Sequence, residues 1–449
     1  MRVLIVHSIY RPHKKGGAEV VVETFVDELK KTHDVMVLTS ERRGSNVNNA
    51  TSDEPQISVE DGVTVMRFAP WNIFSIYDLE SKPMWLRVIW HAFDVWNVHS
   101  WFVMRRILRQ YQPDVVWTHT LKGIGYLAMK AIYAWKKKKL KKKKKIVNQT
   151  IDFGSRKQKE QKKSFWSFGF LSSFLDAPRE STTVSSARGN NGGRASWIFT
   201  PHNEEYVFQF GYGLPPFTIG LVERLTMFFT RWFTKGPDLI FSPSKQIQDF
   251  YRGLGFWKGV EGSWDWPVFA SRRIKNSELR IQNTKFTFGY LGQLEEHKGV
   301  RALIEAFTTY PNPDVRLLVA GRGGLIELCR QVSRQDHRIE LFGEYCRDEL
   351  GVLFQRIHAL VVPSLVRDNM PTVILEAFAH GRPVIGSRLG GIPEALSGGK
   401  GVLLKGFGQR DFHAAFDEIQ ELDVYQKLVE NIQNWKPLSV DESLKRIGF

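Results

Sequence analysis

Residues 359–386 read ALVVPSLVRDNMPTVILEAFAHGRPVIG. Ala359–Val362 is an apolar run of strand length, stopped by Pro363 and Ser364. Thr372–His380 has the spacing of a helix, and Pro383–Gly386 is a second apolar run. Strand, helix and strand with short links predict a parallel sheet with the helix packed on one face.

The alternation extends in both directions. Phe286–Leu291 and Val315–Ala320 read as strands, Val300–Thr308 and Leu325–Ser333 as helices, and Val402–Leu404 closes the set. Near the N-terminus, Val3–His7 is an apolar strand run. Ala18–Lys31 follows with Val21, Val22, Phe25, Val26 and Leu29 at helical spacing, and Val35–Thr39 is a second strand. Pro113–Thr118 and Leu239–Ser242 add strands, and a helix opens at Ser244. Trp85–Tyr111 reads as one amphipathic helix and Val440–Ile447 as a short terminal one.

The fold class is therefore α/β, with two Rossmann-like doubly wound domains facing a central cleft. A chain of 449 residues also exceeds one ordinary core. The expected division is 1–270, 271–435 and a helical tail at 436–449. Residues 136–195 are read as a basic, mostly flexible insert in the first domain. In open parallel sheets, ligands bind beyond the carboxyl ends of the strands.

The net charge of +16 suggests nucleic acid, but its distribution argues against that. Residues 136–163 hold fourteen Lys/Arg and two acids, leaving only +4 for the rest of the chain. Such a run suits a solvated spacer or an anionic membrane surface, with Phe165–Phe174 as an added interfacial anchor. Cys329 and Cys346 are too few for a disulfide framework. The apolar run at Val3–His7 is too short for a signal peptide or a membrane helix.

Three loops carry candidate chemistry. After Val362 come Asp368, Asn369, Met370, Pro371, Thr372 and Val373, with Glu376 further into the helix. A helix N-terminus favours an anion, and a carboxylate there can accept two ribose hydroxyls. After Leu291 come Gly292, Gln293 and Lys298, where glycine admits close approach and lysine meets a diphosphate as a point charge. After the first strand, Gly16 and Gly17 precede a helix, a geometry that cradles phosphate. Walker and dinucleotide spacings are absent. Each loop alone has a bland alternative as an ordinary βα connection.

Together they resemble glycosyltransferase family 4, the group 1 glycosyltransferases of GT-B fold. The resemblance spans nearly the whole chain outside the insert and is densest over 286–404. It implies that Gly16-Gly17 lies against the donor phosphates and Lys298 grips the diphosphate. It also implies that Asp368 contacts the sugar and Glu376 the ribose. Thr118-His119-Thr120 and Pro201-His202-Asn203 resemble loops that face the acceptor. Gly321-Arg322-Gly323 and Phe342-Gly343-Glu344 resemble loops flanking the base, and Gly390–Glu394 fits the family's following segment. Gln293 departs from the usual arginine and Asp368 from the usual glutamate, with Arg322 and Arg367 available as substitute cations.

The implied activity is retaining transfer of a sugar from a nucleotide-diphosphate donor, UDP or GDP, to a saccharide or lipid-linked acceptor. His119, Asp368 and Lys298 are the candidate catalytic residues. No cofactor and no metal are expected, since the chain has no Asp-x-Asp pair and no spaced histidine set. The expected location is cytoplasmic and peripheral at the inner membrane face. The alternatives are a nucleotide-sugar epimerase or phosphorylase on the same fold, or a basic RNA- or membrane-binding protein.

Overall fold

The computed structural model describes residues 1–12, 17–41, 55–119, 121–142, 195–201, 228–229, 231–264, 266–267 and 285–449. In the first half, β1 (Arg2–Val6), α1 (Gly17–Leu29) and β2 (Asp34–Ser40) form the opening β-α-β unit. The hairpin β3 (Gln56–Glu60) and β4 (Val63–Phe68) follows. Next come α2 (Met84–Val95), α3 (Val98–Gln110), β5 (Val115–Thr118) and α4 (127–142). The half ends with β6 (Trp197–Phe199), β7 (Leu239–Phe241), α5 (Lys245–Gly253) and β8 (Glu261–Ser263).

These strands make one sheet in the order β3-β4-β2-β1-β5-β6-β7-β8. All neighbours are parallel except β3 and β4. The central strands are buried on both faces, hence their unbroken apolar runs. Trp117 and Trp197 lie at its centre, fully buried. Their indole N–H groups donate to the hydroxyls of Thr200 and Thr118 at 2.9 and 3.0 Å, so the polar tips stay satisfied.

The second half runs β9 (Phe286–Leu291), α6 (Val300–Thr308), β10 (Val315–Ala320), α7 (Ile326–Gln335), β11 (Ile339–Gly343) and α8 (Leu350–Gln355). It continues through β12 (Ala359–Val362), α9 (Thr372–Ala379), β13 (Val384–Gly386), α10 (Ile392–Leu396) and β14 (Gly401–Leu403). Three helices end it: α11 (Gln409–Gln420), α12 (Leu422–Asn434) and α13 (Val440–Arg446). Its sheet is wholly parallel, in the order β11-β10-β9-β12-β13-β14. Each sheet therefore reverses its winding once, at β1/β5 and at β9/β12.

The two halves meet at several points. The expected boundary near residue 270 lies outside the described residues. Helix α13 returns to pack on α1. The Phe449 ring stacks on Trp117, with centroids 5.5 Å apart. Glu394 of α10 reaches across to α5, accepting from the amides of Lys245 and Gln246 at 2.9 and 3.1 Å. A carboxylate on a helix N-terminus is favourable for both halves of that contact.

Two expectations are corrected. Trp85–Tyr111 is not one helix: α2 stops at Trp96, and the Asn97 side chain caps α3 by accepting from the Ser100 amide at 3.0 Å. Asparagine favours a cap over a helix interior because its side chain competes for backbone donors. The basic insert does not begin at 136, since residues 136–142 complete α4. The Lys136 side chain is only 12% exposed, and its ammonium lies 2.5 Å from Asp238. Lys139 donates to the carbonyls of Pro113 and Asp114. Lysine is a good helix former, and its charge suits a helix C-terminus. Residues 143–194 lie outside the described residues.

Candidate active site

The loops after β9 and β12 converge at the second sheet's switch point, and glycines set how closely. Gly299 has φ 74°, and a Cβ there would lie 2.0 Å from the Pro363 carbonyl oxygen. The Leu365 amide donates to the His297 carbonyl at 2.9 Å, stitching the same two loops. This contact delivers Lys298 to Asp368. The Lys298 Nζ lies 2.7 and 2.9 Å from the two carboxylate oxygens. Both side chains are largely shielded from solvent.

Behind Asp368 sits the Gly390-Gly391 turn. The Gly391 amide donates to the Asp368 carbonyl at 2.7 Å, and a Cβ on Gly391 would fall 1.4 Å from the Asn369 carbonyl oxygen. No side chain larger than hydrogen fits without moving the loop.

Helix α9 begins at Thr372 after Pro371, and no side chain caps its first turn. Its free amide ends suit an anion. Glu376 stands one turn in, partly buried, and its carboxylate accepts no hydrogen bond from a described residue. Burial raises its pKa above the ordinary glutamate value, and the positive charge of Arg347 opposes that rise.

Together these groups line a cavity of about 440 Å³ between the two sheets. Its other wall comes from the first half: Gly17, Ala18, Val20 and Val21 of α1, with Pro243 and Trp266. Tyr290 donates its hydroxyl to the Gln293 carbonyl at 2.6 Å, shaping the floor. Among the described residues, Lys298 and Arg347 are the Lys/Arg side chains that line it.

The structure brings together Gly17, Gly292, Gln293, Lys298, Asp368, Asn369, Met370, Pro371, Thr372, Val373 and Glu376 around one cavity. Gly16, His202 and Asn203 lie outside the described residues. Arg322 and Glu344 do not line the cavity; they pair with each other at 2.8 Å, each side chain 64% exposed. Arg367 is also elsewhere, its guanidinium 5.8 Å from the Phe250 ring centroid.

His119 is a further correction. Its amide donates to the Val6 carbonyl at 2.9 Å, carrying the β1/β5 ladder one residue past the strand. Its ring is fully buried, stacked on Trp117 and edge-on to His7, and does not reach the cavity. Sequence reasoning missed Arg347, Tyr345, Tyr290 and Trp266. Arg347 opens the short turn Arg347–Glu349 after β11, a strand end of the kind where ligands gather.

Residues 285–422 match the family model of the group 1 glycosyl transferases. One relative is an uncharacterised 42.6 kDa protein in the cps region of Klebsiella pneumoniae, 22% identical over 88% of this chain and 87% of that one. Glycogen synthase of Mycobacterium tuberculosis is 26% identical over 51% of each chain. Among solved structures, Anabaena HepE in complex with UDP-glucose aligns over 100% of this chain and 98% of its own, at TM-score 0.58 and 13% identity. The architecture is thus GT-B, and the cavity lies where the half that matches the group 1 family model meets the N-terminal half.

Proposed function

We propose that this chain transfers a hexosyl group, with retention at the anomeric carbon, from a UDP- or GDP-sugar to a saccharide or lipid-linked acceptor. The observation that carries the reading is the pairing of Lys298 with Asp368 beside the unpartnered Glu376, at an uncapped helix N-terminus. A nucleotide-diphosphate sugar offers a partner to each. Its diphosphate takes Lys298 and the amides of α9, with Arg347 as the second cation in place of the arginine missing at Gln293. Asp368, released from Lys298, accepts from a sugar hydroxyl. Glu376 accepts from the ribose.

The bond from the anomeric carbon to the β-phosphate oxygen breaks. The acceptor oxygen bonds to that carbon on the same face, and its proton passes to the departing phosphate oxygen. No side chain serves as a strict base, which agrees with the burial of His119 away from the cavity. Lys298, Arg347 and α9 stand in for a metal in neutralising the leaving group. The glycogen synthase and UDP-glucose relatives support the donor class and a role in polysaccharide assembly. No helix among the described residues is long and apolar enough to cross a membrane. The reading places the chain in the cytoplasm, peripheral to the inner membrane face, with 136–163 toward anionic lipid.

Calorimetric titration with UDP, GDP and ADP in EDTA tests the donor site. One diphosphate is expected to bind selectively, and more weakly to Glu376→Ala. Failure of all three to bind sinks the reading. NMR of the product from an anomerically defined donor tests retention, and an inverted linkage overturns it.

A further inference from the structure

The outer face of α2 is apolar, and no described residue covers it. Trp85, Ile89, Phe93 and Trp96 recur at helical spacing along it, and all four are exposed, Trp85 to 65% and Phe93 to 55%. Trp96 contacts Trp232, with ring centroids 6.3 Å apart, and Trp232 is itself exposed. The face therefore runs across two chain segments. Exposed aromatics on this scale are unusual in a water-facing helix and mark an interaction surface.

Charge narrows what the surface meets. Between Lys82 and Tyr111 the only acid is Asp94, which is fully buried. At the α2 end of the same stretch stand Lys82 and Arg87. The Lys130 ammonium sits 3.5 Å from the Trp232 ring centroid, which joins α4 to the aromatic face. The positive charges of Lys122 and Arg87 act on His91 of α2 itself. A second copy of the chain would bring like charge against like. An anionic bilayer satisfies both features at once: indoles settle at the headgroup level and Lys/Arg meet acidic lipid.

The face is also rigidly tied to the cleft side of the sheet. Asp94 accepts from the Gly123 amide at 3.0 Å and from Asn72 at 2.9 Å, and Asn97 donates to Asn72 at 2.9 Å. This buried network clamps the α2–α3 corner to the loop that follows β5. A surface seated there places the cleft side of the N-terminal half toward the membrane.

We propose that the α2 aromatic face, flanked by Arg87, Lys122 and Lys130, is a docking surface for an anionic lipid bilayer. It moves the main membrane contact from the basic run at 136–163 to α2. It stands independently of the transfer reaction, since partition is read without donor or acceptor.

The test is partition of the full chain onto phosphatidylglycerol-containing vesicles and onto pure phosphatidylcholine vesicles. Trp85→Ser/Phe93→Ser is compared with wild type, and its unfolding temperature checks the fold. Wild type is expected to bind the anionic vesicles, and brominated lipid to quench its tryptophan fluorescence. The variant is expected to partition about tenfold or more weakly with an unchanged unfolding temperature, because two large apolar anchors are lost. Equal partition of variant and wild type overturns the proposal and leaves the basic run as the contact. Absence of wild-type binding overturns it too, as does a wild-type dimer that the variant converts to monomer without any vesicle binding.

Discussion

The two walls of the cavity differ in kind. The C-terminal wall holds an ion pair, an unpartnered carboxylate, a second cation and an uncapped helix end. Among the described residues, the N-terminal wall offers Gly17, Ala18, Val20, Val21, Pro243 and Trp266, which bring backbone and apolar surface but no charge. Each wall sits at the switch point of its own sheet. Among the described residues, one wall thus presents charge, and the other presents shape. Substitutions should divide along the same line, affecting donor chemistry on one side and fit on the other.

The largest effect is expected from Lys298→Ala. It removes the main cation of the charged wall and leaves Asp368 without its partner. Turnover should fall by about a hundredfold or more, measured as kcat with saturating donor. Asp368→Asn should separate the two roles: diphosphate binding by calorimetry is retained while kcat falls. Retained activity in Lys298→Ala would move the charge chemistry elsewhere.

Next is Glu376→Gln. A charge-assisted hydrogen bond contributes about 1.5–3 kcal/mol, so nucleotide-diphosphate affinity should drop about tenfold or more. Burial raises the Glu376 pKa, so its charged form is lost at a higher pH than for an ordinary glutamate. Wild-type affinity should hold above that pKa and weaken as pH falls through it. The variant should show no such dependence in a pH series of titrations.

Two glycine substitutions sharpen the contrast between the walls. A Cβ on Gly391 collides with the Asn369 carbonyl, so Gly391→Ala should destabilise the chain by about 2 kcal/mol or more. It should also displace Asp368, with a lower urea midpoint and weaker donor binding. A Cβ on Gly17 would meet Thr372 at an ordinary 3.6 Å. Gly17→Ala should leave the urea midpoint nearly unchanged yet weaken donor binding, because only an incoming phosphate needs that space. Unaltered donor affinity would place the phosphate elsewhere.

The smallest effect concerns Asp94, outside the cavity. Full burial lifts its pKa from 3.8 to about 7. The folded state therefore disfavours the carboxylate, and this cost grows as pH rises from about 4 to about 7. His91, whose pKa burial lowers to about 3, contributes in the opposite direction over part of that range. The stability difference between Asp94→Asn and wild type should thus shift in favour of the variant as pH rises through that window, measured by urea titration at each pH.

The comparison of walls also explains which parts of the site were readable. The charged wall lies on one continuous pattern of strand, loop and helix, so Lys298, Asp368 and Glu376 stand at spacings that a linear reading can register. Arg347 escaped because it follows a different strand, and only the packing of β9 between β10 and β12 brings that edge toward the cavity. His119 misled for the opposite reason. It stands at the carboxyl end of a buried strand, but the ladder continues through its amide and turns the ring into the core. Gln293 was read as a missing cation, and the substitutes considered for it, Arg322 and Arg367, sit outside the cavity.

Local pattern alone determined the α/β class, the two doubly wound units and the acidic and basic residues of the donor loops. Hydrophobic period and glycine placement are properties of neighbouring residues, and each strand's burial is written in its own composition. Tertiary structure decided which loop ends share one cavity, which lysines of the basic run are tied down, and that the α2 aromatics face outward. Those outcomes depend on strand order and on contacts between residues far apart in the chain. Lys136 paired to Asp238 and Glu394 capping α5 are two such contacts, and no spacing in the sequence encodes either.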